Sequence, residues 1–338
     1  MQILTDSSDF VGAGNLSWQQ HMKAAIRTPE ALIERLELPE NLICRAQSKG
    51  PFPLFVPLPF LSRIEKGNEN DPLLRQVLPL QVEAEPISGF TTDPLNESDF
   101  VMSPGLLRKY NERALLIVNG SCAVHCRYCF RRHFPYSDAT QDPSRLDDSI
   151  GAIQNDTSIR EVILSGGDPL TLADERLDVL VQRLNRIEHL ERLRIHSRLP
   201  IVIPQRVNDR LLSMISNSTL DVVFVVHCNH ANELDKDVKD ACRKLGVVCA
   251  SVLNQSVLLR GVNDCVESLK MLSEALVSCR VVPYYLHQLD AVSGAAHFLV
   301  PVDQGIKLIQ KLRESVSGYL VPRYVQEIPG CKNKTPLA

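Results

Sequence analysis

From Ala114 onward the chain keeps one rhythm. Short runs rich in Val, Ile and Leu ("ALLIVNG", "EVILSGG", "RLRIHSR", "DVVFVVHC", "VVCASVLNQ", "CRVVPYYLHQ") alternate with stretches of helical period. The latter are "SRLDDSIGAIQ", "ADERLDVLVQRLNRI", "NDRLLSMIS", "ANELDKDVKDACRKLG" and "CVESLKMLSEALV". Near-continuous apolar strands alternating with helices predict parallel βα units, their strands buried on both faces. Six such units suit an open or partial (β/α)6 barrel better than a closed eightfold one. A doubly wound sheet has the same periodicity and stays open as the alternative. A last helix, "VDQGIKLIQKLRESV", and an extended tail, "YLVPRYVQEI", follow.

Residues 1–104 read differently. "SWQQHMKAAI" and "TPEALIERLEL" predict short amphipathic helices, the second with Thr28 as N-cap and Pro29 at its first position. "PFPLFVPLPF" is too proline-rich for a helix or a central strand, and "NDPLLRQVLP" restarts a short helix behind Asp71. This part reads as a wrapping segment, followed by the βα region over 105–300 and a C-terminal helix and tail over 301–338.

Composition narrows the class. Apolar content of 44% and charged content of 23% over 338 residues are those of a globular protein with an ample core. A formal net charge of -3 argues against a nucleic-acid partner. "MQILTDSSDF" has no basic leader character, and no apolar run reaches the roughly 18–20 residues of a membrane span. The cytoplasm is the expected location. Ten cysteines are too sparse for a disulfide scaffold. Six of them (Cys44, Cys228, Cys242, Cys249, Cys265, Cys279) are expected as small buried hydrophobes.

In parallel βα architectures ligands bind beyond the C-terminal strand ends. The polar residues just after each apolar run therefore share one rim: the cysteine stretch, "SGGD", "HSR", "HCNH", "NQ" and "HQLD". The cysteine stretch is "CAVHCRYCF", with Cys122, Cys126 and Cys129 spaced C-x3-C-x2-C. Thiolates bind zinc or iron–sulfur clusters, and a structural zinc needs a fourth ligand, for which His125 and His133 are near in sequence. Three thiolates around a four-iron cluster instead leave one iron open to chelate a small molecule.

C-x3-C-x2-C with an aromatic before the last cysteine, after the first strand of a βα barrel, resembles the radical S-adenosylmethionine superfamily. The resemblance implies a four-iron four-sulfur (4Fe-4S) cluster on Cys122, Cys126 and Cys129, with S-adenosylmethionine on its open iron. Ser165, Gly166, Gly167 and Asp168 match the glycine-rich second-strand motif that approaches the methionine portion. "IPGCKNKTPL" at the far end resembles the pyridoxal phosphate loop of the lysine 2,3-aminomutase family. Lys334, followed by Thr335-Pro336, matches the Schiff-base lysine. Cys331, Lys332 and Asn333 stand where the family often has glycines, so Lys332 is the alternative.

The resemblance continues through "LLRKYNERALLIVNGSCAVHCRYCFRRHF" and "NQSVLLRGVND". It implies Lys109, Tyr110 and Gln255 near the cofactor phosphate, Arg198 as a further anion contact, and Arg131 on the substrate carboxylate. Asp290 matches one of two aspartates that bind the ε-ammonium of lysine, and Glu327 stands in place of the second. His227 and His230 are read as polar lining or structural residues, with metal binding as the alternative. Members acting on free lysine continue into a cysteine-bearing extension that binds zinc across subunits. This chain ends at Ala338, so Cys265, which matches the partner cysteine, is expected without such a site.

The short tail, "CRYCFRRHFPY", "RIHSRLPIVIP" and "SGYLVPRY" resemble the aminomutases that prepare β-lysine for elongation factor P, to which a ligase attaches it. The expected activity is a radical, pyridoxal phosphate-dependent isomerisation of L-lysine, fed by a reductant such as flavodoxin or ferredoxin. The alternatives are an aminomutase for free lysine or another amino acid, and a cluster- or zinc-binding regulatory protein without turnover. The oligomeric state has no signature in the sequence.

Overall fold

In the computed structural model, residues 16–46, 52–136 and 143–338 are described, so the N-terminal stretch read for a leader lies outside them. Its centre is a ten-stranded sheet whose strands lie in chain order. Strands β1 (Val101–Ser103), β2 (Leu106–Tyr110) and β3 (Arg113–Asn119) pair antiparallel. From β3 the pairing is parallel through β4 (Glu161–Gly166), β5 (Arg192–Ser197), β6 (Asp221–His227), β7 (Ser251–Val257), β8 (Val282–His287) and β9 (Arg323–Gln326). Antiparallel β10 (Thr335–Pro336) closes the far edge. The order never reverses, so it lacks the switch point of a doubly wound sheet, and right-handed crossovers keep the connecting helices on one face.

The six expected strands are β3 to β8, and two features go beyond expectation. "YLVPRYVQEI" supplies a seventh parallel strand, and "LLRKY" forms a hairpin arm beside β3. Burial on both faces fails at β5 and β7, where buried and half-buried residues alternate. Leu193 and Ile195 face the helices, whereas Arg194 and His196 face the other way, in register with Ile163 and Val225. That inner face lines a polar interior, which an all-apolar strand could not serve.

The N-terminal helices are α1 (Trp18–Lys23), α2 (Pro29–Arg35), α3 (Asn41–Arg45), α4 (Leu58–Leu61) and α5 (Pro72–Arg75). Thr28 Oγ1 accepts the Ala31 amide, and Asp71 Oδ1 accepts those of Leu73 and Leu74, as N-caps do. The expectation of no helix in "PFPLFVPLPF" is corrected by α4, a single turn whose prolines fall at its start, where no amide partner is needed. Leu32, Phe60 and Leu73 share one apolar cluster with Leu164, Ile195 and Phe224, so the wrapping segment shares the sheet's core. Helices α6 (Pro143–Asn155), α7 (Asp174–Leu184), α8 (Leu199–Val202), α9 (Asp209–Ser216), α10 (Lys236–Val248) and α11 (Val266–Ser278) follow the strands. Helix α12 (Val302–Ser315) packs Leu308, Ile309 and Leu312 with Leu286 and Tyr324.

Cys228, Cys242 and Cys279 are buried as expected, but Cys44 and Cys265 are exposed. Cys265 occupies the N-cap position of α11, beside Ser268. Among the described residues, no helix is long and apolar enough to cross a membrane.

Candidate active site

The cysteines lie in the loop after β3, held by the wrapping segment. The His125 amide donates to Phe55 O, and the Arg127 amide to Gln76 O. The fully buried Arg127 guanidinium donates to both oxygens of Glu83, and Arg132 Nη2 donates to Glu83 Oε2 at 2.7 Å. From the other side Gly166 and Gly167 close on the loop. The Gly167 amide donates to Asn119 O at 2.8 Å, and a Cβ at Gly167 would meet Ser121 O at 2.2 Å. Gly166, at φ +130°, would meet Asn119 O at 2.3 Å. Only glycines permit this approach of the two loops.

Burial pushes the Cys122 thiol well up, reinforced by Cys129, Asp168 and Cys126. Burial, then Cys126, pushes Cys129 up to about 12. Left to themselves these sulfurs hold their protons, and a cationic group that displaces them is what the donor set fits. No three His, Cys, Asp or Glu side chains among the described residues converge on a point the size of one ion. His125 is engaged with Pro53 O and stacked on Phe52, while His133 contacts Ser293 O, so neither completes a zinc set. A four-iron cluster spans several ångströms and takes three more widely spaced thiolates.

Two residues of the rim have most of their polar atoms engaged by protein. Asp168 Oδ1 accepts from the Leu170 amide and Ser197 Oγ, and Oδ2 accepts from the amides of Arg198 and Leu199. Asp168 thus ties the loop after β4 to the start of α8, with no oxygen left over for a ligand. Arg198 lies against Cys126 and Tyr128. Nη1 and Nη2 are engaged by protein groups, while Nε is buried without a partner.

Arg131 is held by a residue the sequence reading passed over. Its Nε donates to Glu97 Oε2 at 2.8 Å and its Nη2 to Glu97 Oε1 at 2.6 Å, while Nη1 donates to Ser165 Oγ at 2.9 Å. Glu97 takes one edge of the guanidinium, leaving the Nη1/Nη2 edge as the remaining bidentate face.

At the other end of the sheet the chain turns at Gly330 and returns along β9, pairing Thr335 with Gln326. That hairpin sets Lys334 across from Glu327. Lys334 Nζ donates to Glu327 Oε2 at 2.6 Å, Lys109 Nζ lies 2.8 Å from Oε1, and Tyr110 OH also donates to Oε1. Burial alone would raise Glu327, but Lys334, Lys109 and Tyr110 outweigh it and bring it down to about 2. Asp290 goes the opposite way. Burial pushes it up to about 7, Lys334 opposing and Glu327 adding. Lys332 is exposed and outside this group.

Gln255 is in register with His227 and with Tyr285, whose ring lies 5.9 Å from Lys334 Nζ. His196 and His227 meet edge to face at 5.7 Å, and His287 lies 5.4 Å from Tyr285. Burial holds all three imidazoles below their ordinary range, His227 at about 4, and Lys334 adds to each shift. His230 instead caps the short turn at Ala231–Glu233, accepting the Asn232 amide. Arg113, 4.4 Å over the Tyr110 ring, adds a cation to the same wall. His196 and His287 fall in the rim runs "HSR" and "HQLD" but were given no role from sequence, and Arg113 and Glu97 lay outside those runs. Strand parity marks the first three; nothing marks Glu97 before the loop is folded.

Comparison with known proteins agrees with this chemistry. Residues 111–195 match the model of a 4Fe-4S single cluster domain. An L-lysine 2,3-aminomutase of Escherichia coli is 48% identical over 95% of this chain and 94% of its own. One of Clostridium subterminale is 38% identical over 95% of this chain and 77% of its own. Among solved structures, a radical SAM methyltransferase from Sphaerobacter thermophilus aligns with a TM-score of 0.45 and 17% identity over 65% of this chain and 68% of its own, too remote to carry weight. On the strength of the two aminomutases, each matched over 95% of this chain, the chain belongs to the L-lysine 2,3-aminomutase family.

Proposed function

We propose that this protein converts L-α-lysine to β-lysine, and that the product serves the modification of elongation factor P. The observation that carries the reading is the grouping of Lys334, Glu327, Lys109 and Tyr110 at the inner edge of a sheet whose β3 loop carries Cys122, Cys126 and Cys129. When bound, the cluster and S-adenosylmethionine supply a carbon radical that takes a hydrogen atom, and pyridoxal phosphate carries the migrating nitrogen. Such chemistry is required because the β-hydrogen of lysine is not acidic enough for any side-chain base.

The chain's own residues position the parts. Cys122, Cys126 and Cys129 are assigned to the cluster, in a partial (β/α)6 barrel over 105–300, with 1–104 as its wrap and 301–338 as the cofactor tail. Ser165, Gly166 and Gly167 border the S-adenosylmethionine site. Lys334 attaches pyridoxal phosphate, with Lys109, Tyr110 and Gln255 near its phosphate. Arg131 takes the substrate carboxylate through the Nη1/Nη2 edge, which Ser165 shares, and Asp290 and Glu327 take the ε-ammonium. Gripping both ends of lysine leaves one β-hydrogen facing the radical. Asp168 serves as a strut between two loops.

The test is anaerobic reconstitution with iron, sulfide and pyridoxal phosphate, then incubation with S-adenosylmethionine, dithionite and L-lysine. β-Lysine is the expected product, and product from another amino acid alone sinks the substrate assignment. For the physiological role, deletion of the gene is expected to remove the β-lysyl mass from elongation factor P. An unchanged mass points to free lysine metabolism.

A further inference from the structure

We infer that Arg198 is a positioning residue that sets the reduction potential of the cluster through Cys126. The inference rests on the assignment of the cluster to the three cysteines. Arg198 Nη1 donates to Cys126 Sγ at 2.6 Å and to Tyr128 OH at 2.7 Å. Its Nη2 donates to Gln76 Oε1 at 2.7 Å and to Glu233 Oε2 at 2.9 Å. The guanidinium is buried, and Glu233 is wholly so.

This arrangement is assembled from four separate stretches of chain. Gln76 follows α5 and is fixed by donating to Pro72 O and Glu233 Oε1. Asn229, beyond β6, donates to Gln76 Oε1 and Tyr128 OH. The amides of Asn229 and His230 donate to Glu233 Oε1. The result is a buried pair of opposite charges, aimed with its positive end on the sulfur and its negative end away. Holding a cation in that place requires the network, because an unpaired buried guanidinium is costly.

A charge-assisted donor to a ligating sulfur stabilises the more electron-rich reduced cluster more than the oxidised one. Arg198 therefore makes reduction easier, while Glu233, behind it, tempers the effect. The two residues act on the potential with opposite sign. A purely structural role would move both variants the same way or move neither.

The experiment is a redox titration of the reconstituted protein, followed by electron paramagnetic resonance, without and with S-adenosylmethionine. Iron and sulfide are counted in each sample. Arg198→Gln is expected to shift the potential to more negative values, Glu233→Gln to more positive ones, and Arg198→Lys to fall between wild type and Arg198→Gln. Fully loaded Arg198→Gln with an unchanged potential overturns the inference, as do shifts of like sign. Should Arg198→Gln fail to load, Glu233→Gln decides: an unchanged or more negative potential there also overturns it. A wild type that takes up no iron sinks the cysteine assignment and this inference with it, an outcome distinct from a loaded wild type whose variants fail to shift.

Discussion

Glu327 holds Lys334 through one carboxylate oxygen, at 2.6 Å, and Lys109 through the other, at 2.8 Å. One acidic group thus serves two ammonium groups and a phenol. On the proposed assignment, attachment of pyridoxal phosphate to Lys334 would release Oε2 for another ammonium. Glu327→Gln is expected to raise the KM for L-lysine at least tenfold, roughly 1.4 kcal/mol of binding. An unchanged KM in steady-state β-lysine formation would separate Glu327 from the substrate.

Asp290 and Glu327 should impose opposite pH slopes on stability. Asp290 is raised from 3.8 to about 7, so between these values the folded chain binds more protons than the unfolded one. Its contribution therefore falls as pH rises through that window. Glu327, lowered from 4.5 to about 2, contributes stability that is lost as pH falls through that lower window. Asp290→Asn should flatten the slope between about pH 4 and 7 in urea titrations of the cofactor-free chain, and a slope that persists assigns it elsewhere.

Lys334→Ala should abolish the absorption of lysine-bound pyridoxal phosphate, whereas the exposed Lys332, changed to Ala, should leave it intact. The reverse pattern in difference spectra would exchange their roles.

Gly167→Ala drives a methyl group into Ser121 O at 2.2 Å, so the cysteine loop must shift. Overpacking of this kind costs about 1–3 kcal/mol. A lower Tm and a lower iron content after reconstitution are expected together, and a normal Tm with full iron loading would refute the contact.

Glu83→Ala leaves the buried guanidinium of Arg127, and that of Arg132 beside it, without a counter-charge. The expected loss is about 3–5 kcal/mol. Denaturant unfolding measures it, and a loss below about 1 kcal/mol would mean the arginines relax to solvent.

Most of the parallel sheet was legible because apolar runs of strand length alternate with helical periods. The cysteine loop was legible because its spacing is local. The polar faces of β5 and β7 are where the periodicity misled, since Arg194, His196 and Gln255 point into an interior that exists only once the sheet curves. Thr335-Pro336 carries no strand signal of its own; it pairs because β9 offers an open edge. Asp168 reads as a rim ligand because strand order alone cannot reveal that neighbouring loops satisfy both of its oxygens. Glu97 lies 34 residues from Arg131, a separation no periodicity spans.

The two-residue strand β10 has a consequence for local opening. The cysteine loop is tied down by fully buried Arg127 and by glycine-mediated contact with β4, whereas Lys334 is carried by a hairpin anchored through two paired residues and the Leu337 amide on Tyr324 O. The two halves of the site therefore unfold at different free energies. In hydrogen exchange, the amides around residues 327–337 should trade with solvent while those of β3 and β4 remain protected. Occupation of Lys334 is then expected to register first as slowed exchange in the tail, and to raise the midpoint of global unfolding as well, because the unfolded chain lacks the closed site.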